Sequence, residues 1–217
     1  MFMERVVKII KLVQGQIRSF RVPIVTEVSE KRNPFLVLVS CILSLRTKDK
    51  ITQGASQRLF RVADNPKKMS KLSVSRLEKI IYPVNFYRNK AKAILDITRR
   101  IIADFDGLVS NDQEALLNFK GVGRKTANLV LGLAFGIPAI CVDTHVHRIS
   151  NHLGWVRTKM PQETEEALKE IIPKRYWIDL NTVLVTFGQN ICLPVSPFCS
   201  KCYIGRYCKR IGVKRWR

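Results

Sequence analysis

The stretch Leu116 to Phe135, LLNFKGVGRKTANLVLGLAF, decides the fold. A short apolar segment runs into Lys120-Gly121-Val122-Gly123, and a second apolar-periodic segment follows from Arg124. Two glycines two positions apart permit a tight turn between two helices. Such a turn leaves the N–H groups of Gly121, Gly123 and the first residues of the next helix pointing outward, where together with the helix dipole they bind an anion. Val122 between the glycines can plug into the core and fix the turn. Two other phosphate-binding turns fail at single positions. A Walker loop needs glycine directly before Lys-Thr, where Arg124 stands, and a dinucleotide fingerprint needs a preceding strand and a third glycine where Thr126 stands. What remains is a helix–hairpin–helix holding a DNA backbone phosphate, or an ordinary helical hairpin with a glycine turn.

Charge favours the phosphate reading. The 217 residues (24.9 kDa) carry 38 Lys+Arg against 17 Asp+Glu, a net charge of +21 and a pI near 10.2. That excess is a statement about partners rather than about fold, and it supplies long-range attraction to a polyanion. The 46% apolar and 25% charged residues are an ordinary globular mixture for one or two domains. The longest nearly uncharged run, Pro34 to Leu45 (PFLVLVSCILSL), is twelve residues. A bilayer needs roughly twenty, so no membrane helix is expected. Glu4, Arg5, Lys8 and Lys11 interrupt the N-terminal apolar residues, which leaves no signal-peptide core. An intracellular place is expected, in the cytoplasm or nucleoid if the source is prokaryotic.

Beyond the hairpin, apolar residues recur at helical spacing, as in Val7, Ile10, Val13 and Ile17, or Ala91, Ile94, Ile97, Ile101 and Ile102. The chain reads as a succession of helices. Asp49 is placed to cap the helix ending near Phe60, Ser75 with Glu78 and Ser110 with Gln113 have capping-box spacing, and Gly107, Gly136 and Gly154 are placed as C-caps. Ala139 to Val142 alone looks strand-like, and it reads equally as a short extended connector.

Lys125 falls in the first turn after the hairpin. There the positive end of the helix dipole and adjacent Arg124 both disfavour an ammonium ion, which suits a nucleophilic amine. A neutral amine can attack a sugar carbon and form a Schiff base. Asp143 heads Asp-Thr-His-Val-His-Arg (143–148), where it can cap a helix and also present a carboxylate. The plainer readings are a phosphate-binding lysine and a structural cap. His145, His147 and His152 lack a carboxylate set that would make a metal site, and they read as surface or phosphate-contacting residues.

The cysteines divide into two kinds. Cys41 and Cys141 stand alone in apolar surroundings and read as core residues. Cys192-x6-Cys199-x2-Cys202-x5-Cys208 places four thiolates in one compact loop, which suits a [4Fe–4S] cluster. Structural zinc favours two short knuckles where this loop has one, and a reducing compartment disfavours disulfides. Lys201, Arg206, Lys209 and Arg210 around the loop can present cations to phosphates. The cluster can equally be a structural staple or an electron carrier.

Taken together, these motifs resemble the endonuclease III family of base-excision DNA glycosylases. The resemblance rests on Ile42-Leu43-Ser44 with Thr47-Lys48-Asp49, Tyr82-Pro83-Val84 with Phe86-Tyr87, Gly121 to Ala127, Val142 to Arg148, Phe187-Gly188-Gln189 and the four cysteines. It implies an all-α, two-domain helical glycosylase fold with a C-terminal [4Fe–4S] loop. Residues 27–137 would form a helical barrel with the hairpin, and 1–26 with 138–217 the cluster domain. A damaged base would flip out of the duplex into the cleft between them, as enzymes acting on bases require. In the family the lysine matching Lys125 is the nucleophile at the sugar C1′, the carboxylate matching Asp143 assists it, and β-elimination then nicks the strand. Relatives that do not nick carry another residue at the Lys125 position. The resemblance further implies DNA contacts from Ser44, Arg46, Asp49, Phe86, Lys120, Gly121, Val122, Gly123, Arg124, Thr126, His145 and Arg148. It departs at Arg46, where the family commonly has the Gln that enters the gap left by the flipped nucleotide, and at Lys120, where it commonly has Pro. Phe86 matches an apolar wedge that props the opposite strand. The expected partner is duplex DNA with a damaged base or abasic site, met by a monomer. Two other classes compete: a catalytically silent DNA-binding module, and an iron–sulfur protein whose redox state regulates DNA binding.

Overall fold

The computed structural model describes residues 2–217, and all regular structure among them is helical. The helices are α1 (Phe2–Ile17), α2 (Ile24–Ser29), α3 (Pro34–Ser44), α4 (Asp49–Val62), α5 (Pro66–Met69), α6 (Val74–Ile81), α7 (Tyr87–Asp104), α8 (Gln113–Leu117), α9 (Arg124–Phe135), α10 (Thr144–Leu153), α11 (Pro161–Ile171) and α12 (Trp177–Asn190). Residues 139–142 form an extended connector and not a strand. No helix among the described residues is long and apolar enough to cross a membrane.

The chain divides into two compact units. Ile24–Ile137 forms one, and the segments up to Pro23 and from Pro138 form the other. Asp49 explains the first boundary. It does not cap α4, whose N-cap is Lys48; both its carboxylate oxygens accept the Ile24 N–H at 3.2 Å and so close the start of α2. Helix α2 therefore belongs whole to the larger unit rather than being divided at residue 27.

Helix α3 is the centre of that unit. Asn33 caps it by accepting the N–H groups of Phe35 and Leu36, Pro34 occupies its first turn, and every residue from Phe35 to Leu43 is buried. An all-round apolar helix has no face for water, so α2, α4, α7 and α9 pack around it. Cys41 lies within it, and burial pushes its thiol up to about 12 in spite of the Lys125 ammonium nearby. Helix α7 buries Lys90, Ala91, Ile94, Leu95, Ile97, Thr98 and Ile101, whereas Ile102 faces outward. Two caps fall two residues from their expected places. Ser73 and not Ser75 accepts the Arg76 N–H at the start of α6, and Asp112 accepts the Ala115 N–H at the start of α8 while Ser110 accepts that of Asp112.

In the other unit Val6, Ile9, Ile10 and Val13 of α1 share a core with Val146 and Ile149 of α10 and Leu180, Leu184 and Phe187 of α12. Gly136 and Gly154 end α9 and α10 in left-handed conformation; α7 instead ends at Phe105, two residues before Gly107. Cys141 is buried, and its carbonyl accepts Asn181 Nδ2 at 3.2 Å.

The hairpin turn depends on Gly121, which has φ +89°, whereas Gly123 has φ −100° with open space where a Cβ would stand. Gly121→Ala is therefore expected to cost about 1–2 kcal/mol, and Gly123→Ala to stay within about 0.5 kcal/mol of the parent, in chemical denaturation. Equal losses in the two variants would remove the left-handed backbone as the constraint.

Candidate functional site

The hairpin is built from below. Leu116, Phe119 and Val122 are buried beneath it, and Phe119 meets Phe105 edge-on at 5.9 Å. Arg100 lies 5.1 Å over the Phe119 ring and donates Nη1 to the Asn118 carbonyl at 2.7 Å, while Gln113 Nε2 ties α8 to α9 through Asn128 Oδ1 at 2.7 Å. Val122 gives its N–H to Phe119 O at 3.0 Å, so it serves the turn by packing and not by touching phosphate. The N–H groups of Gly121 and Gly123 sit on exposed residues and have no acceptor among the described residues. Lys120 and Arg124 are exposed on either side, and Lys125 is half-buried in the first turn of α9. Thr126 is 3% exposed, buried beneath the start of α9.

A second constellation of the same unit lies on the α3–α4 and α6–α7 turns. Arg46 has φ +51° and Phe86 φ +58°, and both side chains are exposed, Phe86 at 59%. A bulky aromatic in the left-handed region, facing water, is unfavourable on both counts, and such strain gathers at functional sites. Asn85 Nδ2 donates to the Arg46 carbonyl and joins the two turns. Lys90 Nζ reaches the Leu43 and Leu45 carbonyls and Thr47 Oγ1. Arg58 holds the end of α6, donating Nε to Ile80 O at 2.9 Å and Nη2 to Tyr82 O. Ser44 Oγ bonds back to Cys41 O at 2.7 Å within its own helix, and the Asp49 carboxylate holds Ile24.

In the other unit Asp143 is the N-cap of α10, its Oδ1 accepting from His145 N and Val146 N at 2.9 Å each. The three histidines are half-buried. His147 Nδ1 pairs with Thr164 Oγ1 at 2.6 Å, His152 Nδ1 with Ile211 O, and His145 lies so close to α12 that a Cβ at Gly188 would overlap its ring. Burial lowers the His152 pKa. Arg148 turns inward to the cysteine loop, where Nη2 donates to Cys192 O at 2.7 Å and Nη1 to Cys192 Sγ at 3.6 Å.

Cys192, Cys199, Cys202 and Cys208 line one cavity with Ile149 and Phe187. Among the described residues no three or more His, Cys, Asp or Glu side chains converge as a single ion requires. Four cysteines lining one cavity are a donor set that an iron–sulfur cluster takes. Burial raises the thiols of Cys192, Cys202 and Cys208, that of Cys202 to about 11. Thiolates are unfavourable there until a cation compensates them, and the donors Arg148 and Arg210 N (3.4 Å from Cys208 Sγ) are of the kind that sulfur ligands accept. The residues present therefore fit an iron–sulfur group. Gln16 of α1, which the sequence pattern did not single out, clamps the loop by donating to Lys201 O at 2.7 Å and accepting from Tyr203 N at 3.0 Å. The cations of the loop are partly engaged in stacking, Arg206 over Tyr207 and Arg210 over Trp216, each at 4.9 Å.

Residues 39–174 match the HhH-GPD superfamily of base excision DNA repair proteins. Endonuclease III of Thermotoga maritima is 45% identical over 180 residues, which cover 83% of this chain and 84% of that one. The chain belongs to the endonuclease III family. Its fold matches that of endonuclease III in a trapped covalent intermediate with DNA, an estranged-adenine complex, at TM-score 0.84 and 31% identity over 97% of both chains. Endonuclease III homolog 2, chloroplastic, of Arabidopsis thaliana is 41% identical over 82% of this chain, which spans 48% of that longer protein. For an endonuclease III family member the fold class and the helix–hairpin–helix are as the sequence implied. Lys90, Asn85 and Gln16 are the structural supports that it did not reveal.

Asp143 holds a cap as well as a carboxylate, and the two can be separated. Asn caps as well as Asp, so Asp143→Asn should melt like the parent, whereas Asp143→Ala should cost about 1 kcal/mol. Equal destabilisation of both variants, read by denaturation, would show that the charge and not the cap steadies α10.

Proposed function

We propose that this chain excises oxidised pyrimidines of the thymine glycol type from duplex DNA and nicks the strand by β-elimination. It is a DNA glycosylase with AP lyase activity, acting in base excision repair. The observation that carries the finer reading is Lys125 in the first turn of α9, directly behind a hairpin whose outward amides suit a phosphate.

Lys125 Nζ attacks C1′ of the damaged nucleotide; the C1′–N bond breaks and the base leaves with a proton. The amine and the opened sugar form a Schiff base, loss of a C2′ proton follows, and the C3′–O bond breaks to release the 3′ phosphate. Asp143 assists base departure by steadying the cationic sugar or moving the proton. Lys120, Arg124 and the Gly121 and Gly123 amides hold backbone phosphate, and the +21 charge brings the duplex in. Arg46 fills the gap left by the flipped nucleotide and Phe86 props the opposite strand. The four loop cysteines hold a [4Fe–4S] cluster, which cross-links the C-terminal segment when bound.

Borohydride should trap a covalent adduct with a thymine-glycol duplex. Lys125→Gln should abolish both trapping and nicking with binding largely retained, and Asp143→Asn should slow base release on the order of a hundredfold. An adduct still formed by Lys125→Gln would move the nucleophile to another amine. Anaerobically prepared protein should be yellow-brown with about four irons per chain; one zinc and no iron in metal analysis would overturn the cluster assignment.

A further inference from the structure

Helix α7 carries a lysine on its apolar face. Lys90 is 7% exposed, one helical turn from Ile94 and two from Ile97. A buried ammonium is tolerated only where its protons are taken. Here Nζ lies 2.8 Å from Leu43 O, 2.6 Å from Leu45 O and 3.0 Å from Thr47 Oγ1, three acceptors for three protons. Burial lowers the amine to about 8, so near neutrality the ammonium persists with all three to give. Two of the acceptors are carbonyls at the end of α3, where a helix leaves its C=O groups unpaired and the dipole favours a cation. Two of the three, Leu45 O and Thr47 Oγ1, flank Arg46: Leu45 precedes it and Thr47 follows it. Arg46 thus projects outward, in left-handed conformation, from a turn held on both sides by one buried charge.

We propose that Lys90 is a positioning residue for Arg46, fixing the backbone from which that side chain enters the duplex. The inference rests on the reading that Arg46 fills the gap. Lys90 touches neither DNA nor the reacting atoms; it acts by denying the turn other conformations, so that Arg46 is presented already oriented. A lysine that only steadied the core would lower stability without altering what Arg46 does.

The test uses the full chain and a duplex with a tetrahydrofuran abasic analogue opposite 2-aminopurine, whose emission reports the stacking of the orphan base. Arg46→Ala, Lys90→Met and the double variant are compared with the parent; methionine keeps the side-chain bulk and donates nothing. Lys90→Met should lose most of the emission change seen on binding, and the double variant should lose no more than Arg46→Ala alone, the non-additivity of residues acting as a unit. Thr47→Val removes one acceptor from the turn and should give a smaller loss in the same direction, which decides the matter should Lys90→Met fail to fold. An Arg46→Ala signal equal to the parent would overturn the gap-filling reading itself. A changed Arg46→Ala signal with parental signals from Lys90→Met or Thr47→Val, or additive losses in the double variant, would leave that reading standing and overturn the positioning role.

Discussion

A helix buried on every side has to be surrounded, and its ends have to be answered from within the protein. Helix α3 imposes both demands on the larger unit. Nine of its eleven residues are buried, so helices from before and after it in the chain must close around it. Its first amides are met by Asn33, and near its end the buried Leu43 carbonyl is met by Lys90. The same helix is the surface on which α9 rests, so the position of Lys125 follows from how α9 packs there. The strained turn that carries Arg46 likewise begins where α3 has to stop.

Local features were legible wherever the signal and its partner lie within one turn of chain. The hairpin announced itself through two glycines and a valine, the Asp143 cap through its place ahead of an amphipathic helix, and the C-caps through Gly136 and Gly154. Features whose partner lies far along the chain were not. The Asp49 carboxylate is taken by an amide 25 residues away, and Arg148 by Cys192, 44 residues away. Each side chain bonds a backbone group of a distant segment, and nothing in its own neighbourhood announces that partner. Ser73 is the exception, a local cap misplaced by two residues because the earlier start adds residues to a helix that buries Leu77, Ile80 and Ile81. Lys90 could have been found, since a lysine in phase with Ile94 and Ile97 is anomalous for a surface residue.

The cysteine loop shows the limit of spacing as a guide. Four cysteines in seventeen residues name a ligand set but not what encloses it. In the folded chain Gln16 grips the loop, Arg148 bonds both the sulfur and the carbonyl of Cys192, and Arg217 closes on it through Pro197 O at 2.8 Å and Ser200 N at 2.9 Å. A run of basic residues that reads as a phosphate-binding surface is therefore partly internal to the loop. Arg217 stacks 4.0 Å over Phe198, as Arg206 and Arg210 stack on their own aromatic neighbours. Guanidinium groups lend themselves to this double use because they are weakly hydrated and planar.

The turn at Arg46 separates what a residue is from how it is presented. The bonds that shape the turn run through backbone atoms or through Thr47: Lys90 to the carbonyls of Leu43 and Leu45, Asn85 to the carbonyl of Arg46, Thr47 N to Ser44 O. The side chain at position 46 takes no part in those bonds. A Gln can therefore be exchanged for an Arg there without disturbing the scaffold. Phe86 obeys the same logic, with its backbone in the left-handed region and its ring exposed, so that strain sits in the backbone while the side chain is left free of the turn's own packing.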